Sequence, residues 1–105
     1  GEQGELVFEP SDVEYYFEPV TIQDSGTSIL KNDLENSEDG AGQIGFQLSN
    51  DGTHEMQYGK SNYYSFQHPH EGSNQIPLFI RPRTYGNNVS SGQIMSRVKI
   101  VVMYN

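Results

Sequence analysis

The chain has 105 residues, enough for one domain with a modest core, and 33% of them are hydrophobic. Asp and Glu outnumber Lys and Arg by 14 to 6, and the resulting formal charge of −8 argues against binding to nucleic-acid phosphates or anionic lipid. There is no cysteine for a disulfide or a thiolate zinc site, and no apolar run approaches the roughly 20 residues of a membrane helix. We therefore expect a single domain over residues 1–105, with no nucleic-acid partner and no membrane insertion.

Alternation of apolar and polar residues, the period of a half-buried β-strand, recurs along the whole chain. In chain order the alternating apolar sets are Leu6 and Phe8; Val13, Tyr15 and Phe17; Ile44, Phe46 and Leu48; Ile76, Leu78 and Ile80; and Val98, Ile100, Val102 and Tyr104. Each set places its side chains on one face of a strand, so we expect the sets to share one core. The third and fourth sets are predicted to be core residues throughout.

Turn-forming residues separate these segments. They are Asp24–Ser25–Gly26, Asp39–Gly40, Asn50–Asp51–Gly52 and Tyr85–Gly86–Asn87–Asn88. Asp51–Gly52 lies between two apolar segments and is a candidate for a tight hairpin, since glycine tolerates a positive φ. Only residues 28–36, where Leu30 and Leu34 are four apart, are compatible with a helical turn. Turns spaced about 8–12 residues apart predict a β-sandwich or barrel.

The last predicted strand, Val98 to Tyr104, is apolar on both faces except at Lys99. An exposed apolar edge strand would be an aggregation hazard. We therefore expect this strand to lie in the interior between two neighbours, one of which can be supplied by another chain.

The end of the chain also carries a recognisable motif. Tyr104 is the penultimate residue, and Gly92 is the fourteenth when Asn105 is counted as the first from the end. With the alternating Val98, Ile100 and Val102 between them, these residues resemble the C-terminal assembly motif of the pilins of bacterial chaperone–usher fimbriae. That family includes type 1 fimbrial subunits and the pilin domains of tip adhesins.

Other stretches are similar to the same family in the same order. Residues 4–8 resemble its first strand, residues 15–17 the strand after its second cysteine, residues 43–48 a middle strand, and residues 76–80 the strand before the last loop. The resemblance covers most of the chain from Val13 to Asn105. Three departures concern the beginning of the chain: the usual disulfide is missing, the stretch between Phe8 and Tyr15 is short, and only three residues precede Gly4, which leaves no N-terminal donor extension.

The resemblance implies an all-β fold, namely an incomplete immunoglobulin-like Greek-key sandwich that is completed by a donor strand. It implies a structural subunit, or an adhesin's pilin domain, that supports adhesion in the extracellular fimbrium after passing through the periplasm. The implied partners are neighbouring pilin subunits, a periplasmic chaperone and an outer-membrane usher. The donor-strand groove and assembly motif would comprise Gly92, Val98, Ile100, Val102 and Tyr104, with Leu6 and Phe8 on the opposite wall.

Other groupings of residues lead to different interpretations. His68 and His70 share a face at metal-ligand spacing, with His54 or Glu71 as further ligands, but the neighbouring Gly72 suggests a surface loop. The carboxylates of residues 33–39 lack the spacing of a calcium loop. We therefore expect no metal and no cofactor.

A second interpretation concerns binding. Six tyrosines could form a sugar-stacking platform, although tyrosine is also a common strand residue; they are Tyr15, Tyr16, Tyr58, Tyr63, Tyr64 and Tyr85. The alternative function is therefore a stand-alone secreted β-sandwich that binds carbohydrate or protein. No set of residues has the context of a catalytic site, so we expect no enzymatic activity.

Overall fold

Six strands form two antiparallel sheets in the computed structural model of the chain, which describes residues 13–65 and 75–104. They are β1 (Val13–Pro19), β2 (Ile29–Leu30), β3 (Ile44–Ser49), β4 (Tyr64–Ser65), β5 (Phe79–Thr84) and β6 (Val98–Tyr104). These two ranges contain no helix, so no helix there is long and apolar enough to cross a membrane. The all-β class predicted from the alternation is confirmed, and residues 28–36 form β2 and a turn instead of a helical turn.

Each sheet has three strands, and its central strand pairs along its whole length with only one of its two neighbours. The first sheet has the order β4-β1-β6, and all of β1 pairs with β6, from Val13 opposite Tyr104 to Pro19 opposite Val98. The second has the order β2-β3-β5, and all of β3 pairs with β5, from Ile44 opposite Thr84 to Ser49 opposite Phe79. Within the described residues, β5 and β6 are therefore edge strands.

The core lies between the two sheets. Tyr15 and Phe17 of β1 meet Leu30 of β2 and Leu48 of β3, and Met56 and Tyr58 complete the cluster. The Tyr15 and Phe17 rings pack edge to face with centroids 5.9 Å apart. The arrangement is compatible with a small β-sandwich.

Two predicted core residues are not buried. Leu48 is 3% exposed, but Leu78 is 41% and Ile80 is 56% exposed. Ile44, Phe46 and Ile76 are half-buried. The alternation was assigned to the correct face, because Ile80 lies opposite Leu48 in the register. The prediction is wrong for Leu78 and Ile80, since the described residues supply no strand beyond β5 to cover them.

The prediction that β6 lies in the interior is also wrong for the described residues. β6 pairs with β1 on one side only, and its Ile100 and Val102 are 43% and 53% exposed. Val98, at the start of the strand, packs against the core. The two-sided apolar character of this strand correctly indicated a paired strand, but burial requires a second neighbour.

The Asp51–Gly52 turn is wider than a tight hairpin. Ser49 bridges Glu55, so the loop spans residues 50–54, and Gly52 has a φ of 83°. Backbone N–H groups of His54 and Thr53 donate to the Asp51 carboxylate, whose other oxygen lies 2.8 Å from His54 Nδ1. These contacts, led by those of His54, hold the pKa of Asp51 well below its ordinary value.

Candidate functional site

One long side of the two-sheet structure is closed by residues 55–59. Met56 N donates to Leu48 O, on the edge of β3 that is not paired with β5. Gly59 N donates to Phe17 O, on the β4 side of β1. Because this segment crosses from the β2 edge of one sheet to the β4 edge of the other, β2 and β4 lie on the same side. The Tyr58 hydroxyl reinforces the closure by donating to Ser28 O at 2.6 Å.

The opposite long side is formed by β5 and β6, and it is open in the described part of the chain. Three exposed residues there face inward by register, because their partners are core residues: Ile80 is opposite Leu48, Ile100 is opposite Phe17 and Val102 is opposite Tyr15. Leu78 is two residues from Ile80 and equally apolar. We call the four exposed residues Leu78, Ile80, Ile100 and Val102 the open strip.

The open strip combines uncovered apolar side chains with strand edges whose backbone groups lack a ladder partner among the described residues. Ile80, Ile100 and Val102 lie on the core faces of their strands without cover from the described residues, and the outer edges of β5 and β6 present backbone N–H and C=O groups without a ladder partner there. An added strand satisfies both at once. Since the four side chains are already about half-buried, covering them would contribute on the order of 3–6 kcal/mol before ordering costs. The site is therefore suited to accepting an extended polypeptide.

The charge around this side differs from that of the rest of the chain. Residues 75–104 contain Arg81, Arg83, Arg97 and Lys99 but no Asp or Glu, although the whole chain carries −8. Two of these cations have carboxylates within reach: Arg97 Nε lies 3.1 Å from Asp33 and Lys99 Nζ lies 3.7 Å from Glu18. The arginines of β5 pair with no carboxylate of the described residues.

The residues of the predicted assembly motif do not all lie in one place. Ile100 and Val102 belong to the open strip, Val98 touches the core, and Tyr104 pairs with Val13 at the end of β6. Leu6 and Phe8 lie outside the described residues. Their assignment to the opposite wall of the groove stays a prediction.

Gly92 lies in the loop before β6, beside residues 39–41. A β-carbon at Gly92 would lie 2.6 Å from Ala41 N and 2.7 Å from Asp39 O, and its φ is 150°. Both the close approach and the backbone conformation favour glycine. The loop packing of this chain thus gives a local reason for glycine at this position.

A second concavity, of about 280 Å³, lies between residues 21–22 and 31–36. Its polar groups bind one another. The buried Asn32 side chain donates to Ala41 O and Gln93 O and accepts from the Leu34 and Met95 N–H groups. This network holds the 93–97 segment against the end of β2.

The carboxylates that line that concavity also accept hydrogen bonds from neighbouring side chains. Thr21 Oγ1 and Arg97 Nε both donate to Asp33, and the Tyr85 hydroxyl donates to Glu35. Burial, together with the Glu35 contact, raises the pKa of Tyr85. These contacts account for the polar residues as structural groups, so we assign no ligand to the concavity.

The alternative sites suggested by the sequence are not assembled by the described residues. Tyr15 and Tyr58 are buried in the core and cannot contribute to a surface sugar platform. Residues 13–65 and 75–104 contain no group of three or more candidate metal ligands. His68, His70 and Glu71 lie outside the described residues.

Sequence reasoning did not identify the β5 half of the open strip. Leu78 and Ile80 were expected in the core because alternation marks the inward face but does not distinguish a central strand from an edge strand. Residues 75–104 contain four cations and no carboxylate, and this charge pattern was a signal in the sequence that β5 and β6 differ from the other strands.

Comparison with known proteins adds no further constraint. No model of a known protein family matches the chain, and a search of curated proteins found no match. The structural class is therefore an all-β domain of two small antiparallel sheets, and the resemblance to pilins depends on the sequence motifs alone.

Proposed function

We propose that this protein is a structural subunit, or the pilin domain of an adhesin, in a bacterial chaperone–usher fimbria, and that it assembles by accepting a donor strand. The observation that supports this best is the open strip. Ile80, Ile100 and Val102 face the core by register and are nevertheless 43–56% exposed. A sandwich that lacks a strand has this combination of inward direction and exposure.

In this proposal the donor pairs with the free edge of β6. Its backbone continues the β4-β1-β6 sheet, and alternate side chains enter between the sheets above Ile100 and Val102. A periplasmic chaperone fills the site first, and a neighbouring subunit then replaces it at the outer-membrane usher. The product is an extracellular fibre whose subunits are joined by burial and ladder hydrogen bonds, without a cofactor.

The test compares thermal midpoints with and without an alternating-apolar donor peptide. At a peptide concentration of about 100 times Kd, binding adds about 2.7 kcal/mol, which raises the midpoint by on the order of 10–20 °C. The control peptide has the same composition with its apolar residues grouped. Val102→Ser should reduce the shift, whereas Ile22→Ser, which removes a comparably exposed apolar side chain at the second concavity, should preserve it.

Absence of any shift with the donor peptide would contradict the proposed function. It would favour the alternative, a stand-alone secreted module that binds carbohydrate or protein. A shift that is equal for Val102→Ser and Ile22→Ser would show that the peptide binds outside the open strip.

A second test concerns the end of β6. Tyr104 is in phase with Ile100 and Val102, and its backbone is paired with Val13. Tyr104→Ser should reduce co-purification with the cognate periplasmic chaperone. Tyr63→Ser, which removes a 53% exposed ring outside β5 and β6, is the matched control and should be captured normally.

A further inference from the structure

The two faces of β5 differ in chemistry. Ile80 lies opposite the core residue Leu48 and faces inward, so its neighbours along the strand face outward. The outward residues are Phe79, Arg81 and Arg83, at alternate positions of the strand. We call these three residues the outer patch. Because its side chains point away from the open strip, the outer patch is a separate surface.

The charges of the outer patch are not neutralised by the described residues. Arg97 and Lys99 form ion pairs with described carboxylates, whereas Arg81 and Arg83 form none. Arg81 Nε is shielded from solvent and has no hydrogen-bond partner among the described residues. Since buried polar groups are nearly always hydrogen-bonded, the Arg81 guanidinium has bonding capacity that this part of the chain leaves unused.

The Gln47 side chain fixes how Arg83 is presented. Its amide nitrogen donates to Glu55 Oε2 at 2.8 Å and to Ser28 Oγ at 3.1 Å, and its Oε1 accepts from Arg83 Nε at 3.2 Å. The amide cannot be reversed, because an ionised Glu55 carboxylate only accepts hydrogen bonds. Arg83 Nε is thus held by Gln47, and the terminal N–H groups of this exposed residue are left for an anion.

Phe79 adds an apolar anchor at one end of the outer patch. Its ring lies beside Gly52, where an added β-carbon would meet ring carbons at 3.7 Å, yet the side chain is 48% exposed. An aromatic ring beside arginines is typical of the residues that dominate protein–protein interfaces. Small ligands prefer concave sites, whereas the outer patch lies on a sheet face away from the concavity at residues 21–22 and 31–36. This surface therefore suits a protein partner.

We propose that the outer patch docks an acidic segment of a protein partner, which supplies two carboxylates to Arg81 and Arg83 and an apolar side chain to Phe79. Alternate residues of an extended segment are about 6–7 Å apart, the same spacing as on β5, so the three groups occur at alternate positions. The net charge of −8 favours a partner with few charges, because a polyanion is repelled by the rest of the surface. The assignment stands whether or not a donor fills the open strip.

The test is an NMR titration of the full chain with a synthetic peptide. The acidic probe is a Gly/Ser peptide with two Glu at alternate positions and a Leu two residues further on; its control has Gln in place of both Glu. With one apolar residue, the probe lacks the pattern of a donor strand. Exposed ion pairs are individually weak, so we expect a Kd on the order of 1 mM and about tenfold weaker binding of the Gln control. The shifted signals should include the Nε–H groups of Arg81 and Arg83.

Variants locate the binding site. Arg83→Glu should weaken binding of the acidic probe about tenfold, whereas Lys60→Glu, the same change of charge at an exposed site outside β5, should preserve most of it. Val102→Ser, in the open strip, should bind the probe normally. A probe with Lys in place of both Glu should bind the double variant Arg81→Glu/Arg83→Glu better than it binds the wild type, a reversal that a merely structural role of the arginines would not produce.

Equal binding of the Glu and Gln peptides to the unaltered chain, or equal losses in Arg83→Glu and Lys60→Glu, would overturn the proposal. So would shifts centred on the open strip, which would identify the probe as a donor strand. Sedimentation that shows self-association of the wild type but not of Arg83→Glu would also overturn it, because the occupant would then be a second copy. Donor-peptide stabilisation of Arg83→Glu tests the proposed function separately.

Discussion

Leu48 and Ile80 lie directly opposite each other on β3 and β5 and point to the same face, yet Leu48 is 3% exposed and Ile80 is 56% exposed. The two side chains have nearly the same size and apolar character. What differs is the strand: β3 has neighbours on both sides, whereas β5 has one within the described residues. The difference in exposure between these two paired residues therefore marks β5 as part of the open side of the protein.

Alanine substitutions at this pair should therefore have unequal effects. Leu48→Ala removes a buried side chain and should cost about 2–5 kcal/mol of unfolding free energy. Ile80→Ala should cost clearly less, because the Ile80 side chain is already 56% exposed. Urea denaturation of the wild type and both variants measures this. A negligible cost for Leu48→Ala would contradict the location of the core.

Gly92 should be important for the fold itself. Gly92→Ala forces a β-carbon against the backbone of residues 39–41 in an unfavourable φ region, and we expect a loss of about 1–3 kcal/mol. Gly26→Ala is the matched control: its φ is 76°, but a β-carbon there meets nothing within 4 Å. If Gly92→Ala is as stable as the control and fails only in fibre assembly, glycine is needed there by a partner.

Asn32 should be among the most sensitive polar residues. Its side chain makes four hydrogen bonds to backbone groups while being 5% exposed. Asn32→Ala leaves those groups unpaired and should cost roughly 2–4 kcal/mol, since each stranded buried group costs about 1–3 kcal/mol. Asn36→Ala, exposed on the same loop, should be within about 0.5 kcal/mol of the wild type. Similar denaturation midpoints for the two variants would contradict the structural role of Asn32.

Tyr58 should make the protein sensitive to alkali. Burial raises the pKa of Tyr58 to about 12, and its neutral hydroxyl donates to Ser28 O. Because the folded pKa is the higher one, this stabilisation is complete below the ordinary value near 10 and is lost as the pH rises from about 10 to 12. Unfolding free energies measured across that range should fall less steeply for Tyr58→Phe. Parallel curves for the wild type and Tyr58→Phe would show that Tyr58 does not cause the alkaline loss.

The sequence was sufficient for the all-β class and for the faces of the strands. Val13, Tyr15 and Phe17 are buried as their alternation predicted, because an inward residue of a central strand is covered whichever strands flank it. The exposure of Leu78, Ile80, Ile100 and Val102 was not predictable, since it depends on strand order, which alternation does not encode. The loop around Asp51 is longer than the tight hairpin that the Asp51–Gly52 dipeptide predicts. The side chains of Asp51 and Ser49 accept hydrogen bonds from backbone N–H groups of the loop and so stabilise the wider turn.

The pairing of β1 with β6 joins the first and last strands of the described chain. Such a non-local contact forms late, because the closure of a long loop must precede it. Until β6 has been synthesised, Tyr15 and Phe17 lack the partner that completes their sheet. Until β6 is available, β1 has only the short strand β4 as a ladder partner, so one edge of an aromatic strand stays open to mispairing during folding.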